Sequence, residues 1–170
     1  MGGEMMINLN EKLKDAAYEG NYEVVKFLIE NGADVHAYDD YALRWAADNG
    51  HYKVVKLLVE NGADIHVRED QALRWASEDG HYEVVKLLIE NGANIHAIDD
   101  YPLRWAANYG HYEIVKLLVE NGANIHVRED QALKWASEGG HTKIVDYLKS
   151  LDQETITLVK VNNKWEVKHD

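Results

Sequence analysis

The sequence predicts an all-α fold, a solenoid of five helix–turn–helix units that ends in a short β-hairpin. The first observation is a phrase, Tyr41-Ala-Leu-Arg-Trp-Ala, with near-copies that begin at Gln71, Tyr101 and Gln131. Each copy begins 30 residues after the one before, and a fixed period of this size indicates stacked supersecondary units. The second observation is helical apolar spacing within each unit, and the third is a β-rich stretch after the last unit.

Composition indicates one globular domain. The 170 residues include 46% hydrophobic and 28% charged side chains, which are not the values of a disordered chain. The net charge is −12 at pH 7. Because nucleic acids and anionic membranes attract clustered positive charge, we expect neither as a partner.

The chain contains no cysteine, which excludes disulfides, thiolate catalysis and cysteine-based zinc sites. No apolar run reaches the length of a membrane span, and the N-terminus lacks the layout of a signal peptide. We expect an intracellular, soluble protein of the cytoplasm, and we take it to be a monomer.

The period divides the chain into a lead, five units and a tail. The lead is residues 1–10, the units are residues 11–32, 33–62, 63–92, 93–122 and 123–151, and the tail is residues 152–170.

The first half of each unit has the pattern of a short helix. In unit two, Leu43, Ala46 and Ala47 form one apolar stripe over residues 41–49, and Gly50 ends it. Asp40 precedes this helix, where a side-chain oxygen can cap main-chain N–H groups. The same expectation applies to Asp70, Asp100 and Asp130.

The second half has the pattern of a helix that neighbours cover on several sides. Val54, Val55, Leu57 and Leu58 give residues 52–61 a broad apolar face. Gly62 stands just beyond the last apolar residue, where a left-handed residue commonly ends a helix.

These residues resemble the ankyrin repeat. The stretch from Gly50 to His66 looks like the second helix and outgoing turn of that repeat, and Leu43-Arg-Trp-Ala-Ala47 resembles the end of its Thr-Pro-Leu-His-x-Ala-Ala signature. The likeness covers about residues 11–151, and five units agree in register.

Three departures from the common ankyrin pattern stand out. The repeat has 30 residues instead of about 33, and the deletion falls in the projecting finger. Arginine or lysine replaces the signature histidine. Histidine replaces the usual asparagine at His36, His66, His96 and His126. This short form is similar to repeats of ankyrin proteins from giant viruses such as mimiviruses.

The resemblance implies a non-enzymatic module that binds a partner protein in a concave groove lined by the first helices. Tryptophan and arginine are enriched at binding hot spots, so Arg74, Trp75, Arg104 and Trp105 are the central candidates. The full candidate set is Tyr41, Arg44, Trp45, Asn49, Arg68, Gln71, Arg74, Trp75, Asp79, Ile98, Tyr101, Arg104, Trp105, Tyr109, Lys134 and Trp135.

Structural explanations for the same rows stay open. The tryptophans could fill the space that the shortened finger leaves, and the arginines could form salt bridges to carboxylates such as Asp40. The alternative function is an artificial or recently duplicated scaffold without a dedicated partner. The sequence has no phosphate-binding loop, nucleophile elbow or metalloprotease helix, so we expect neither an enzyme nor a cofactor.

A second period of 60 residues overlies the first. Units two and four share Asp-Asp-Tyr before the helix, whereas units three and five share Val-Arg-Glu-Asp-Gln. The surface is therefore expected to alternate between Tyr/Asp and Arg/Glu/Gln character. We favour recent gene duplication without functional content as the explanation of this period.

Histidines form two ladders. One comprises His51, His81, His111 and His141, and the other His36, His66, His96 and His126. Members of a ladder lie about a helix diameter apart, too far for shared zinc ligation. We expect them to hydrogen-bond to turns between units, and we expect no metal site.

The tail predicts a β-hairpin. Residues 155–161 and 164–168 are rich in β-formers and flank Asn162-Asn163. A two-residue turn would place Ile156, Leu158, Trp165 and Val167 on one face, and a three-residue turn would group Val159, Val161, Trp165 and Val167. Packing on unit five and strand addition to a partner's sheet are both open.

Overall fold

Ten helices make up the part of the chain that the computed structural model describes, residues 8–162. Of residues 153–162 it describes the backbone alone. The helices are α1 Leu9–Tyr18, α2 Tyr22–Glu30, α3 Ala37–Asp48, α4 Tyr52–Glu60, α5 Val67–Glu78, α6 Tyr82–Glu90, α7 Ala97–Asn108, α8 Tyr112–Glu120, α9 Val127–Glu138 and α10 Thr142–Asn162.

The helices alternate between two layers. The first helices of the units (α1, α3, α5, α7 and α9) pack closely on one another, and the second helices (α2, α4, α6, α8 and α10) lie farther apart. Small buried side chains such as Ala46 and Ala76 allow the close approach. Because the first helices are closer together, the stack curves with its first helices inside.

Glycine turns end the helices as the sequence predicts. Gly62 has φ 89°, and its N–H donates to the Val59 carbonyl at 3.0 Å while the Ala63 N–H donates to Leu58 at 3.0 Å. These two bonds are the Schellman arrangement. The prediction of a left-handed stop at Gly62 is confirmed.

A left-handed turn opens α3, α5, α7 and α9, where the resemblance places the shortened finger. In unit two it comprises Tyr38, Asp39 and Asp40, with φ 59°, 56° and 50°. This conformation costs a non-glycine residue about 1–2 kcal/mol, least for short polar side chains such as aspartate. Contacts from the rest of the unit must therefore hold the turn.

The helix-cap prediction for the aspartates is wrong. The helices start at His36 and its counterparts, without a side-chain cap. Asp40 lies inside the left-handed turn, and its Oδ1 accepts the Asp64 N–H of the next unit at 2.8 Å. Asp70 and Asp100 make the same bond, to Asn94 and Asn124. Asp130 makes no such bond within the described residues; like the other three aspartates, it contacts the histidine of its own unit, His126, at 2.7 Å.

The β-hairpin prediction is also wrong. Residues 155–161, the expected first strand, continue α10, and residues 8–162 contain no strand. A helix already docked on the stack extends without a new nucleus, whereas an isolated hairpin is marginal in water. The expected second strand, residues 164–168, and hence both turn registers lie outside the described residues.

Candidate interaction surface on the first helices

One face of every first helix remains partly exposed. In unit two it carries Tyr41, Trp45 and Asp48 on α3 and Asn49 directly after it; these residues follow Tyr41 by four, seven and eight positions, so they lie on one side of the helix. We call this the inner face. Its other members are Asp15, Tyr18 and Glu19 in unit one; Gln71, Trp75, Glu78 and Asp79 in unit three; Tyr101, Trp105, Asn108 and Tyr109 in unit four; and Gln131, Lys134, Trp135 and Glu138 in unit five.

Aromatic rings run along the inner face. Trp45 contacts Tyr18 at 5.7 Å, Tyr41 at 5.5 Å and Trp75 at 5.3 Å between ring centroids. Each of these distances is that of a favourable aromatic pair. The four tryptophans of the inner face are only partly buried, so each packs against the stack and still presents ring surface.

A second aromatic group repeats this arrangement in units four and five. Trp105 contacts Tyr101 at 5.4 Å, Tyr109 at 5.7 Å and Trp135 at 5.2 Å. Tyr109 is 51% exposed, and its ring is stacked on Trp105. It therefore extends the aromatic surface outward.

The arginines of the repeated phrase hold the left-handed turns. Arg44 is 5% exposed; its Nε donates to the Asp39 carbonyl at 2.8 Å and its Nη2 to the Tyr38 carbonyl at 2.9 Å. Its Nη1 donates to Gln71 Oε1 at 3.0 Å. The expected alternative, a salt bridge to Asp40, is replaced by these main-chain bonds.

Arg104 repeats the three bonds, with Gln131 as its amide partner. Among the described residues, Arg74 makes only the two carbonyl bonds, and it lies 5.2 Å from the Tyr101 ring. Lys134 lacks the guanidinium group with which arginine can donate to two carbonyls at once. Its side chain is exposed, and its Nζ lies 3.6 Å from Glu129.

The candidate residues within the turns are exposed. Arg68 donates to Asp39 Oδ2 at 2.8 Å, and Ile98 is 40% exposed. Both lie at the edge of the inner face, several residues before the tryptophan.

Carboxylates cluster at the carboxyl ends of α3 and α5. Burial, reinforced by the nearby Asp79 carboxylate, raises the pKa of Asp48 to about 6. The Tyr101 hydroxyl donates to Glu78 Oε2 at 2.6 Å, and burial with this hydrogen bond raises the pKa of Tyr101.

One histidine ladder hydrogen-bonds between units, as expected, whereas the ladder that begins at His36 hydrogen-bonds within its own units. His81 Nε2 lies 2.7 Å from the Asp48 carbonyl of the preceding unit, and its ring covers Gly50. His66 Nδ1 lies 3.0 Å from Asp70 Oδ1 in its own unit. Within residues 8–162 no group of histidine and carboxylate side chains is placed to hold a metal ion.

Eight inner-face residues lie outside the set predicted from the sequence: Asp15, Tyr18, Glu19, Asp48, Glu78, Asn108, Gln131 and Glu138. A signal for four of them was available, because Asp48, Glu78, Asn108 and Glu138 each follow a tryptophan by three residues and so share its helix face.

Comparison with known families now adds to this geometry. The family model described as ankyrin repeats (3 copies) matches residues 13–99 and 73–157, well over half of the chain. No curated protein matches the chain. No helix within the described part of the chain is long and apolar enough to cross a membrane.

Proposed function

The chain belongs to the ankyrin repeat family, and from that membership we propose that it binds a partner protein on its inner face. Ankyrin repeats are generally protein–protein interaction modules and are typically non-catalytic. A stack of repeats offers an extended surface of this kind.

One observation carries the proposal. Half-buried aromatic rings follow one another along the inner face through units two to five. Aromatic side chains that are held rigidly and partly exposed are the usual anchors of an interface. We assign direct contact to Trp45, Trp75, Trp105 and Trp135 with the neighbouring tyrosines, and a positioning part to Arg44 and Arg104.

The test uses binders selected against the whole chain from a displayed peptide library. The Trp75→Ala/Trp105→Ala variant is expected to weaken them by about 100-fold, because two anchors of about 1–2 kcal/mol each are lost. The matched control is Tyr52→Ala/Tyr82→Ala, which removes rings of 38% and 37% exposure from the second helices.

Circular dichroism and thermal unfolding establish that both variants are folded. Binders that are unaffected by the tryptophan changes but lost in the control would contradict the proposal.

A scaffold without a dedicated partner remains the second candidate. The observation in its favour is that Arg44 and Arg104 make all their described bonds within the fold. Such a scaffold would yield no binder that depends on the tryptophans.

Further predictions rest on the sequence. We expect a monomeric cytoplasmic protein that binds neither nucleic acid nor membranes. We also expect the division into units given above and a likeness to the short repeats of giant-virus proteins. The remaining candidates are proposed to form the rim of the interface: Asn49, Arg68, Gln71, Arg74, Asp79, Ile98, Tyr109 and Lys134.

A further inference from the structure

We propose that the inner face recognises a cationic segment of its partner, an extended stretch that carries arginine or lysine side chains. This inference rests on the proposed function and specifies the chemistry of the partner. Three features support it: the charge of the face, its rings and its regular spacing.

The described inner face carries more negative than positive charge. Its carboxylates are Asp15, Glu19, Asp48, Glu78, Asp79 and Glu138. Lys134 is the inner-face lysine within the described residues, Lys14 lies beside the face on α1, and both have carboxylate partners. Arg74 is half-buried near the middle of the face, where it bonds to main-chain carbonyls and lies over the Tyr101 ring. Arg44 and Arg104 are buried, with their guanidinium groups turned to main-chain oxygens. A cationic segment therefore meets complementary charge along the middle of the face.

The rings suit the same kind of partner. The face of an aromatic ring is negative and attracts cations within about 6 Å, most strongly for tryptophan. The protein already uses this contact internally: Arg74 lies 5.2 Å from the Tyr101 ring and Lys14 lies 5.6 Å from the Tyr41 ring. A cation from a partner would add to the same row of rings.

The carboxylates of α3 and α5 are crowded. Burial, then the charge and contact of the Asp79 carboxylate, and to a smaller extent Glu78 raise the pKa of Asp48, and His81 partly offsets this. A cation placed beside Asp48 and Asp79 would relieve their repulsion. This is additional stabilisation that a neutral segment cannot provide.

The spacing of the units predicts a pattern in the partner. Packed helices lie about 8–10 Å apart, and an extended chain advances about 3.3 Å per residue, so one unit corresponds to about three residues. Among the four helices that carry a tryptophan, α3, α5 and α9 present carboxylates, whereas α7 presents Asn108 and Tyr109. The expected segment has two cations three residues apart and a third cation six residues farther on.

The experiment measures fluorescence anisotropy of three labelled synthetic peptides titrated with the full chain. Arginine occupies the three patterned positions in the first peptide, glutamine in the second and glutamate in the third, with glycine and serine elsewhere. The arginine peptide is expected to bind at least about tenfold more tightly than the glutamine peptide, and less tightly as salt increases. The glutamate peptide is expected not to bind.

Two variants separate local recognition from net charge. Asp48→Asn/Asp79→Asn is expected to weaken the arginine peptide by about fivefold or more. Glu60→Gln/Glu90→Gln removes the same number of negative charges, but at exposed sites on the second helices. It is expected to leave the affinity for the arginine peptide nearly unchanged. Equal effects of the two variants would overturn the inference.

The outcomes also separate the inference from the proposed function. If the glutamine peptide binds as well as the arginine peptide and Trp75→Ala/Trp105→Ala weakens both, the cationic partner is wrong and the interaction surface stands. If binding is indifferent to the tryptophans, the surface itself is wrong. Absence of arginine-peptide binding at about 1 mM overturns the inference.

Discussion

The junction between units two and three differs from the junction between units three and four, although near-identical helices form both. At the first, Arg44 donates to Gln71 at 3.0 Å and Arg68 donates to Asp39 at 2.8 Å. The junction between units four and five repeats both bonds. At the junction of units three and four, Arg74 instead stacks on Tyr101, whose hydroxyl donates to Glu78.

This difference gives the 60-residue period a structural meaning. The first residue of the repeated phrase faces the arginine of the preceding unit, so glutamine provides an amide oxygen and tyrosine provides a ring. The alternation of Gln and Tyr therefore specifies two kinds of contact in turn. Whatever its origin in duplication, the period has consequences for how neighbouring units are joined.

The largest expected effect is that of Arg44→Ala. It should lower the free energy of unfolding by about 3 kcal/mol, because three charge-assisted hydrogen bonds are lost and the left-handed turn is left unsupported. Arg74→Ala should cost about 2 kcal/mol, because Arg74 is half-buried and lacks the amide partner. Urea unfolding of both variants measures the difference, and equal losses would mean that Gln71 adds nothing.

Gly80→Ala should cost about 2 kcal/mol. Gly80 has φ 83°, and an added Cβ would lie 2.6 Å from His111 Cε1. Gly92→Ala is the control, since Gly92 has φ 94° with open space around it; it should cost about 1 kcal/mol. Gly50→Ala, at the other kind of junction, should match Gly80→Ala. A clear difference between the stability losses of Gly50→Ala and Gly80→Ala would show that the contact between histidine and glycine also differs between the two kinds of junction.

Asp48→Asn should stabilise the protein by about 1 kcal/mol at pH 7, after allowance for solvent screening at this partly exposed site. The folded-state pKa of Asp48, about 6, lies above its ordinary value of 3.8, so ionisation of this carboxyl opposes folding, and the penalty is complete above pH 6. Protonation removes this penalty as the pH falls, and the gain should vanish below about pH 4.

Urea unfolding at pH 7 and pH 4 tests this prediction. Asn108 occupies the equivalent position 60 residues later, which indicates that an amide fits there. A gain that is the same at both pH values would show that charge is not its cause.

The smallest expected effect is that of Tyr101→Phe. Loss of the hydroxyl hydrogen bond to Glu78 should cost about 0.5–1 kcal/mol, while the stacking of Arg74 and Trp105 on the ring is kept. Tyr41→Phe is the control, because its hydroxyl makes no hydrogen bond within the described residues. A double-mutant cycle with Glu78→Gln isolates the pair.

Local chemistry explains which predictions succeeded. Apolar spacing and glycine stops identify helices because both act within a few residues of the chain. The prediction that the aspartates cap helices failed because it assumed that each carboxylate accepts from the nearest main-chain N–H groups. Asp40 instead accepts from the N–H of Asp64, which lies 24 residues away in the next unit. The hairpin failed because β-propensity depends on neighbours, and here the neighbour was a docked helix.

The sequence by itself determined the helical units, their period and the family, because repeated local patterns need no tertiary context to be recognised. Only the tertiary structure decided what the arginine and tryptophan rows do. The arginines are bound within left-handed turns, whereas the tryptophan rings pack and still face outward. The physical reason is that stacking places each unit against the next, so hydrogen-bond partners and exposure depend on residues about 25–30 positions away.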